Sequence, residues 1–250
     1  MKKILVIGDG CRDVFVYCHA TRLAPDLPIP VLQIVRQTEN VGMAKNVARN
    51  IKAIHKSCDI ITNENWRNIV KTRYVEDKTN HAFMRVDSDS QASPIINVRN
   101  IPLKKYDIIA ISDYDKGFLT ENDIRYICER HSCVFVDTKK IIRNFLKDAK
   151  FLKINNHEYT RSSPIPKNLT KKIIRTNGEN PTKFRNKLYP VDKVEVKDSS
   201  GAGDCFFAAL TVNYAQTGDI EQAIRFANKC AAQAVQHRGV SVIILPESSN

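Results

Sequence analysis

The chain has 250 residues, a length that allows one large domain or two small ones with ample core. Hydrophobic residues make up 42% and charged residues 26% of it, and no apolar run approaches the roughly 20 residues that cross a bilayer, so we expect a globular protein with no membrane partner. The formal net charge is +12, but the basic residues are scattered, mostly in pairs, and do not alternate with aromatic residues. We therefore interpret the charge as a solvated surface and expect no nucleic-acid partner.

Two features of the sequence exclude further classes of protein. The seven cysteines are odd in number and include no CxxC pair, which argues against a disulfide framework and a zinc site and favours a reducing cytoplasm. The opening MKKILVIGDG is apolar only as far as its first glycine, which favours a buried strand over a signal peptide.

Strand and helix signals alternate along the chain. Residues 3–8 form a continuous apolar run that ends in glycine, which is typical of a buried parallel strand, and residues 43–54 carry apolar residues at helical spacing. The other predicted strands are 108–111, 134–136, 151–154 and 173–176, and the other predicted helices are 121–130, 141–145, 205–214 and 220–236. This order predicts an α/β fold, a doubly wound and mainly parallel sheet flanked by helices, with ligands at the carboxyl ends of its strands.

Four β-like segments interrupt this alternation because no long helix lies between them. They are residues 14–17, 31–36, 72–76 and 82–86. Pro25, Pro28 and Pro30 punctuate the first two. We predict a small antiparallel sheet, formed by about 14–36 and 72–87, that projects from the main sheet as a lid over an active site. The alternative is that these segments are only extra edge strands.

The segment 198–210, DSSGAGDCFFAAL, places small residues directly before an apolar helix. The backbone N–H groups of Gly201, Ala202 and Gly203, together with the positive end of the helix dipole, suit a phosphate. Asp204 would lie at the mouth of this nest, where a carboxylate can take a proton from a substrate hydroxyl. The alternative is a helix N-terminus with no function beyond capping.

Other phosphate-binding motifs are missing or weak. The sequence contains no GxxxxGK[ST], which excludes a Walker-type P-loop. Residues 8–13, GDGCRD, hold the first two glycines of a dinucleotide-binding GxGxxG motif but have aspartate in place of the third.

With these motifs in order, the chain resembles the ribokinase family of PfkB-type carbohydrate kinases, and within it the bacterial D-glycero-β-D-manno-heptose 7-phosphate kinases. GAGD before FFAAL is similar to the family's Asp-Thr-Gly-Ala-Gly-Asp segment, with Ser200 in place of threonine. The other similar segments are VIGDGCRDVFVY, TRLAPDLPIPVLQI, VGMAKNVARNI, ISDYDKGFLT, NNHE, RTNGENPTKF and FANKCAAQAV. They follow one another in family order across nearly the whole chain.

The resemblance implies a ribokinase-like kinase with ATP and Mg²⁺ as cofactors. Asp204 would be the catalytic base, and the amides of Gly201, Ala202 and Gly203 would stabilise the transferring γ-phosphoryl. Mg²⁺ would lie near Glu158, through water, because this ion keeps most of its hydration.

The resemblance also implies residues for both substrates. Those at the sugar hydroxyls are Asp13, Gly42 and Asn46, and those for a substrate phosphate are Arg22, Arg85 and Lys116. Those at the nucleotide are Asn155, Thr176, Gly178, Ser200 and Asn228.

The chain departs from the family's pattern at several positions. Met43 replaces the second glycine of a pair that approaches the sugar, Lys45 replaces a small residue, and Pro181 replaces a glycine of the nucleotide-side turn. Residues 58–68 are much shorter than the corresponding family segment, as if about one βα unit were absent. Because the catalytic end is intact, we favour a shortened active kinase over a degenerate one.

The leading hypothesis is that residues 1–250 form a single ribokinase-like domain that phosphorylates a heptose 7-phosphate at its anomeric hydroxyl, giving the 1,7-bisphosphate. The alternatives are another ribokinase-type substrate (fructose, a fructose phosphate or ribose), a non-catalytic sugar- or nucleotide-binding relative, and a nucleic-acid-binding protein. The expected partners are ATP and a small sugar phosphate. The lid strands suggest a homodimer.

Overall fold

A computed structural model describes residues 1–244 of the chain, in which twelve strands and six α-helices follow one another. The strands are β1 (Ile4–Gly8), β2 (Gly10–Leu23), β3 (Pro30–Met43), β4 (Cys58–Ile61), β5 (Val70–Glu76), β6 (Ala82–Asp87), β7 (Ile108–Asp113), β8 (Val134–Thr138), β9 (Phe151–Asn155), β10 (Ile173–Asn177), β11 (Asn180–Phe184) and β12 (Lys187–Tyr189). The helices are α1 (Ala44–Ile54), α2 (Glu121–Arg130), α3 (Asn156–Arg161), α4 (Lys167–Thr170), α5 (Ala202–Thr217) and α6 (Ile220–Ala234). None of these helices has the length and apolar character of a membrane span.

Eight strands form the main sheet, in the order β12-β11-β10-β9-β8-β7-β1-β4. The six strands from β10 to β4 are parallel, and the hairpin of β11 and β12 adds two antiparallel strands at one edge. This is the predicted mainly parallel α/β sheet. Its strand order reverses beside β1, where the crevice of an open α/β sheet takes its ligand.

Two hydrophobic cores cover the faces of the main sheet, as the alternation of side chains along β1 requires. Ile4 and Val6 pack with α1, α5 and α6 on one face. Leu5 and Ile7 pack with α2 and the segments around it on the other face. The strands are buried on both faces, which explains why they read as continuous apolar runs.

The remaining strands form the lid sheet, in the order β3-β2-β5-β6. The lid is predicted correctly, but its strands β2 and β3 are longer than expected and reach back to β1 and α1 at residues 10 and 43. Phe15, Tyr17 and Val75 of the lid pack on Val240 of the main body. Arg238 donates to the backbone carbonyls at the β5–β6 turn, which also ties the lid to the main body.

Two sequence-based expectations about these elements are wrong. The lid is not purely antiparallel, because β2 and β5 pair in parallel. Residues 141–145 are not an α-helix: a 3₁₀ turn follows at Asn144–Leu146, and Ile142 donates its backbone N–H to Ser162 Oγ at 3.1 Å. A run of five residues contains too few helical hydrogen bonds to offset nucleation, so tertiary contacts decide its conformation.

The shortened segment at residues 58–68 keeps its first strand. β4 pairs with β1 at the sheet edge, and a 3₁₀ turn at Trp66–Asn68 then leads directly into β5 without an α-helix. The Trp66 ring lies 4.2 Å from the Lys45 ammonium and 4.5 Å from the Arg67 guanidinium. The lysine at position 45 thus has a partner in the shortened segment, because the Lys45 side chain covers the Trp66 ring at the end of that segment.

Candidate active site

Polar residues end four adjacent strands of the main sheet, at the edge that faces the start of α5. They are Asp9 after β1, Asp113 in β7, Thr138 in β8 and Asn155 in β9. Helix α5 begins at this edge without a side-chain cap, and its first N–H groups have no intrahelical partner. The edge therefore combines buried carboxylates with the positive end of a helix dipole.

Asp204 lies in the first turn of α5 and is 5% exposed. Its Oδ1 accepts a hydrogen bond from the Tyr114 hydroxyl at 2.6 Å, and its Oδ2 accepts one from Asn46 Nδ2 at 3.0 Å. Asn50 in turn donates to the Asn46 side chain at 3.1 Å. The carboxylate is thus held in one orientation by donors from two other parts of the chain.

The electrostatic environment of Asp204 suits a proton acceptor. Burial raises the pKa of its carboxyl above the usual range, and the hydrogen bonds from Tyr114 and Asn46 lower the pKa in part. Burial and the Asp204 charge raise the pKa of the Tyr114 phenol well above its usual value, so this hydroxyl stays a donor. A carboxylate with a raised pKa takes up a proton more readily than a free one.

Tyr114 joins three parts of the site. Its backbone N–H donates to Asp9 Oδ2 at 2.6 Å, and its ring lies 4.7 Å from the Lys71 ammonium of the lid. Sequence reasoning missed its role, although Tyr114 lies inside the ISDYDKGFLT segment from which only Lys116 is assigned.

We expect Tyr114→Phe to move the acidic limb of the kcat/KM profile to higher pH by about 1–2 units, the equivalent of one hydrogen bond to a charged group. The hydroxyl lowers the pKa of Asp204, so its loss leaves the base protonated over a wider acidic range. Tyr106→Phe is the matched control, because the Tyr106 hydroxyl donates to the remote Asp59 at 2.9 Å. An acidic limb that stays in place in Tyr114→Phe contradicts the role given to this hydroxyl.

Asp13 and Gly42 meet across β2 and β3. A Cβ on Gly42 would lie 2.2 Å from Asp13 Oδ2, so only glycine leaves room for this carboxylate. Asp13 Oδ1 accepts a hydrogen bond from Arg73 Nη1 at 2.7 Å. Asn46 lies on α1, but its amide is directed to Asp204. The structure thus brings the three predicted sugar-side residues to one side of Asp204.

Four basic side chains of the lid and of the β7–α2 loop surround Asp13 and Asp87. Arg73 and Arg85 face each other across β5 and β6, and Lys71 is opposite Asp87 in the same ladder. Arg85 holds Asp87 through two hydrogen bonds of 2.7 and 2.8 Å. Burial raises the pKa of Asp87, but Arg85, Lys71 and Lys116 outweigh it, and the pKa lies below its usual range. We call Lys71, Arg73, Arg85 and Lys116 the cation cluster.

Arg22 lies outside this cluster. It is exposed at the far end of β2, about 30 Å beyond Asp13 at the rise of an extended strand. The structure therefore brings two of the three predicted phosphate ligands, Arg85 and Lys116, to Asp87 and leaves Arg22 apart. Sequence reasoning missed Lys71 and Arg73, which carry no signal beyond their position on a lid strand.

Asn155 and Glu158 form a capping box at the start of α3. Asn155 Oδ1 accepts from the backbone N–H of Glu158, and Glu158 Oε2 accepts from that of Asn155 at 2.8 Å. Glu158 Oε1 is hydrogen-bonded to the Lys139 ammonium. Burial lowers the pKa of Lys139, but the charges of Asp137 and Glu158 outweigh it, so the pKa of Lys139 is raised above its usual value.

The other predicted nucleotide-side residues lie in two places. Thr176 lies near the end of β10, and the exposed Gly178 lies in the β10–β11 turn with a φ of 58°. Ser200 lies in the turn before α5, and its N–H donates to Asp198 at 2.8 Å. Asn228 is buried, accepts from Thr182 Oγ1 at 2.8 Å and donates to the carbonyls of Tyr189 and Pro190 at the end of β12. The side-chain groups of Asn228 are thus occupied in holding the hairpin on α6.

Met43 adopts a backbone conformation that normally needs glycine, with φ 57° and ψ −134°. Such a conformation costs a larger residue about 1–3 kcal/mol. Its side chain is 2% exposed and packs in the core that contains Ile7 and Ile69. The substitution thus keeps the glycine-like turn before α1 and fills core space with its side chain.

The chain was compared with known proteins. The model of the pfkB family carbohydrate kinases matches residues 61–247. Among curated proteins, the bifunctional protein HldE of Bradyrhizobium diazoefficiens is 27% identical over 305 residues, which cover 98% of this chain and 62% of that protein. HldE of Helicobacter pylori strain Shi470 is 27% identical over 304 residues, covering 99% and 65%. The chain thus spans less than two thirds of the length of these relatives.

Solved structures show the same fold. A ribokinase from Thermotoga maritima superposes with a TM-score of 0.74 at 17% identity, covering 96% of this chain and 95% of that one. A ribokinase from Arabidopsis thaliana, solved with ribose and ATP, gives a TM-score of 0.69 at 14% identity, covering 96% and 94%. At such identities the likeness concerns the arrangement of strands and helices, including the lid.

Proposed function

Because the chain belongs to the pfkB family of carbohydrate kinases, and so is an ATP-dependent sugar kinase, we propose that its substrate is a sugar phosphate, D-glycero-β-D-manno-heptose 7-phosphate. The γ-phosphoryl of ATP would go to the anomeric hydroxyl, giving the 1,7-bisphosphate. The heptose assignment rests on the resemblance in the N-terminal half of the chain and agrees with the HldE relatives at low identity.

The cation cluster is the observation that carries the choice of a phosphorylated sugar. Four cations lie around two carboxylates, Asp13 and Asp87, which leaves an excess of positive charge on the side of the lid that faces Tyr114 and Asp204. A neutral sugar needs hydroxyl ligands such as Asp13 but gains little from this excess. A phosphate group gains charge-assisted hydrogen bonds from arginine and lysine.

The proposed reaction follows from the position of Asp204. Its carboxylate takes the proton of the sugar hydroxyl as that oxygen bonds to the γ-phosphorus, while the bond from the γ-phosphorus to the β–γ bridging oxygen breaks and ADP leaves. The N–H groups of Gly201 and Gly203 would face the phosphoryl oxygens, on which negative charge is carried during transfer, and that of Ala202 would join them on release from the Ser199 carbonyl, to which it donates at 3.2 Å. Tyr114 and Asn46 hold the carboxylate in place throughout.

Glu158 is the residue we propose for Mg²⁺. The described residues contain no group of three acidic, histidine or cysteine side chains for a metal, but Mg²⁺ is commonly bound by one or two carboxylates, waters and substrate phosphates. Glu158 fits such a site on condition that Lys139 releases its Oε1. When bound, the ion would neutralise charge on the ATP phosphates, and Lys139 would be free to contact them as well.

Two alternatives make different predictions about turnover. Another family substrate, namely fructose, a fructose phosphate or ribose, leaves the same chemistry with a different acceptor. A non-catalytic relative would bind sugar or nucleotide without turnover. The Asp204 site favours an enzyme, since binding alone needs no buried base held by two donors.

An ADP-release assay with ATP and Mg²⁺ over a panel of acceptors tests the proposal. The panel contains the heptose 7-phosphate, fructose 6-phosphate, fructose, ribose and no sugar. We expect kcat/KM to be highest for the heptose 7-phosphate. A higher value for any other member contradicts the substrate assignment, and no ADP release with any acceptor favours the non-catalytic alternative.

We also propose a homodimer that forms through the lid. Met84 and Val86 alternate with Arg85 on β6, so they lie on the face directed away from the cation cluster, where each is about half exposed. A second lid would cover these apolar side chains. Sedimentation velocity is expected to give twice the 28.4 kDa chain mass, and a monomer at micromolar concentration contradicts the proposal.

A further inference from the structure

One buried ammonium group at the candidate site has no part in the reaction as described so far. Lys153 lies on β9 and is 4% exposed. Its Nζ donates to Asp137 Oδ2 at 2.7 Å, across the ladder in which these two residues are in register. Asp137 Oδ1 is buried and has no hydrogen-bond partner among residues 1–244.

The Lys153 ammonium lies directly against the first turn of α5. A Cβ placed on Gly203 would be 3.2 Å from Lys153 Nζ, a distance at which one of the two groups must shift. Gly203 itself is exposed. Because Gly203 has no side chain, only its backbone lies between the Lys153 ammonium and the proposed phosphate site at residues 201–203.

The charge of Lys153 is compensated by one hydrogen-bonded carboxylate, that of Asp137. The start of a helix is the positive end of its dipole, so a lysine there meets charge of its own sign. A buried ion pair also costs several kcal/mol of desolvation per ion, and this one leaves a carboxylate oxygen without a partner. The pair is poorly arranged for stability alone, whereas a phosphoryl group in the nest would meet both the N–H groups and the ammonium.

The other two lysines at this edge are directed elsewhere. Lys139 is held by Glu158, and Lys140 donates to Asp113 at 3.0 Å and to Asp115 at 2.6 Å. Lys153 is therefore the lysine of the three that the structure places against Gly203.

We propose that Lys153 is a further catalytic residue of this chain, whose ammonium contacts the γ-phosphoryl group of ATP beside Gly203 and stabilises its charge during transfer to the sugar. The inference rests on the proposed roles of residues 201–204. Asp137 holds the ammonium in place, and Asp204, not the lysine, takes the proton of the sugar.

The test compares binding of AMP-PNP, which carries a γ-phosphoryl group, with binding of ADP, both with Mg²⁺. Lys153→Met alone would leave Asp137 as an unpaired buried charge, so the main variant is the double substitution Asp137→Asn with Lys153→Met. Lys153→Gln is the second variant, because its amide can still donate to Asp137. Asp137→Asn alone is the matched control, because its amide oxygen can still accept from the Lys153 ammonium and hold it in place.

We expect the double variant and Lys153→Gln to bind AMP-PNP about 10-fold more weakly and ADP within about twofold of the wild type, and to lose about 100-fold in kcat. Asp137→Asn is expected to keep most of the preference for AMP-PNP. If the role of Lys153 were purely structural, the variants would lose affinity for AMP-PNP and ADP equally, or the double variant would regain wild-type affinity for both.

The inference is overturned if either Lys153 variant folds, binds AMP-PNP with wild-type affinity and keeps a kcat near that of the wild type. Equal affinity of the wild type for AMP-PNP and ADP overturns it as well. Because these binding measurements need no sugar, they are independent of the substrate assignment. Wild-type protein that shows the nucleotide difference but phosphorylates no sugar would contradict the proposed function and not the role of Lys153.

Discussion

Replacing Asp204 by asparagine is expected to lower kcat by about 10²–10⁴-fold, the contribution typical of a general base, while ATP affinity changes by less than about twofold. Asparagine has nearly the shape of aspartate but cannot take the proton of the sugar hydroxyl. Within the part of the chain that the structure describes, the carboxylate accepts hydrogen bonds from Tyr114 and Asn46, and the proposed nucleotide-side residues are not among its partners. Single-turnover rates and titration with AMP-PNP separate the two effects.

Asp219→Asn is the matched control for this prediction. Asp219 accepts hydrogen bonds from the first turn of α6, and asparagine is an equally good residue at a helix N-cap. The control should therefore keep wild-type turnover and thermal stability. Near-normal turnover in Asp204→Asn would contradict the role of the base, and loss of folding would show as a fall in Tm that the control lacks.

Replacing Arg85 by leucine is expected to raise the KM for the heptose 7-phosphate about 10–100-fold, the equivalent of charge-assisted hydrogen bonds to a phosphate. Arg85 is exposed on β6 with Asp87 as its partner, so its loss leaves no buried charge unpaired. The KM for ATP should stay unchanged, because Arg85 belongs to the cation cluster near Asp13 and not to the nucleotide side. Initial rates with each substrate varied in turn measure both constants.

Arg22→Leu removes the same charge from the same lid and is the matched control. Since Arg22 lies about 30 Å from Asp13 along β2, we expect its KM for the sugar phosphate to equal that of the wild type. Equal increases in both variants would indicate long-range electrostatic attraction rather than direct contact. An unchanged KM in Arg85→Leu would contradict the phosphate role of the cation cluster.

Much of the fold is predictable from local patterns in the sequence. The parallel strands β1, β7, β8, β9 and β10 read as apolar runs that end in polar residues or glycine. Helix α1 reads as apolar residues at helical spacing, and helices α5 and α6 read as apolar, alanine-rich runs. The lid is also predictable, because its strands read as β-like segments with no long helix between them. The parallel pairing of β2 with β5 is not predictable from local sequence, because the direction of β5 depends on how the shortened segment 58–68 crosses the sheet edge.

The chemistry of the site is only partly predictable, because it depends on contacts between residues that are far apart in the sequence. GAGD marks Asp204 by local sequence, but its two donors, Asn46 and Tyr114, are 158 and 90 residues away. Lys153 reads as one polar residue inside a buried strand, and nothing near it in the sequence indicates that Gly203 will lie against its ammonium. Such contacts form only when the fold brings the ends of the strands together at one edge of the main sheet.

The chemical form of the product tests the central claim most directly. Enzyme, Mg²⁺, ATP and D-glycero-β-D-manno-heptose 7-phosphate are mixed and followed by ³¹P NMR. We predict that ATP is converted to ADP in step with a new phosphate resonance coupled to the anomeric proton, while the 7-phosphate resonance persists. Release of ADP without a new sugar phosphate, or phosphorylation at another position, would contradict the proposed function.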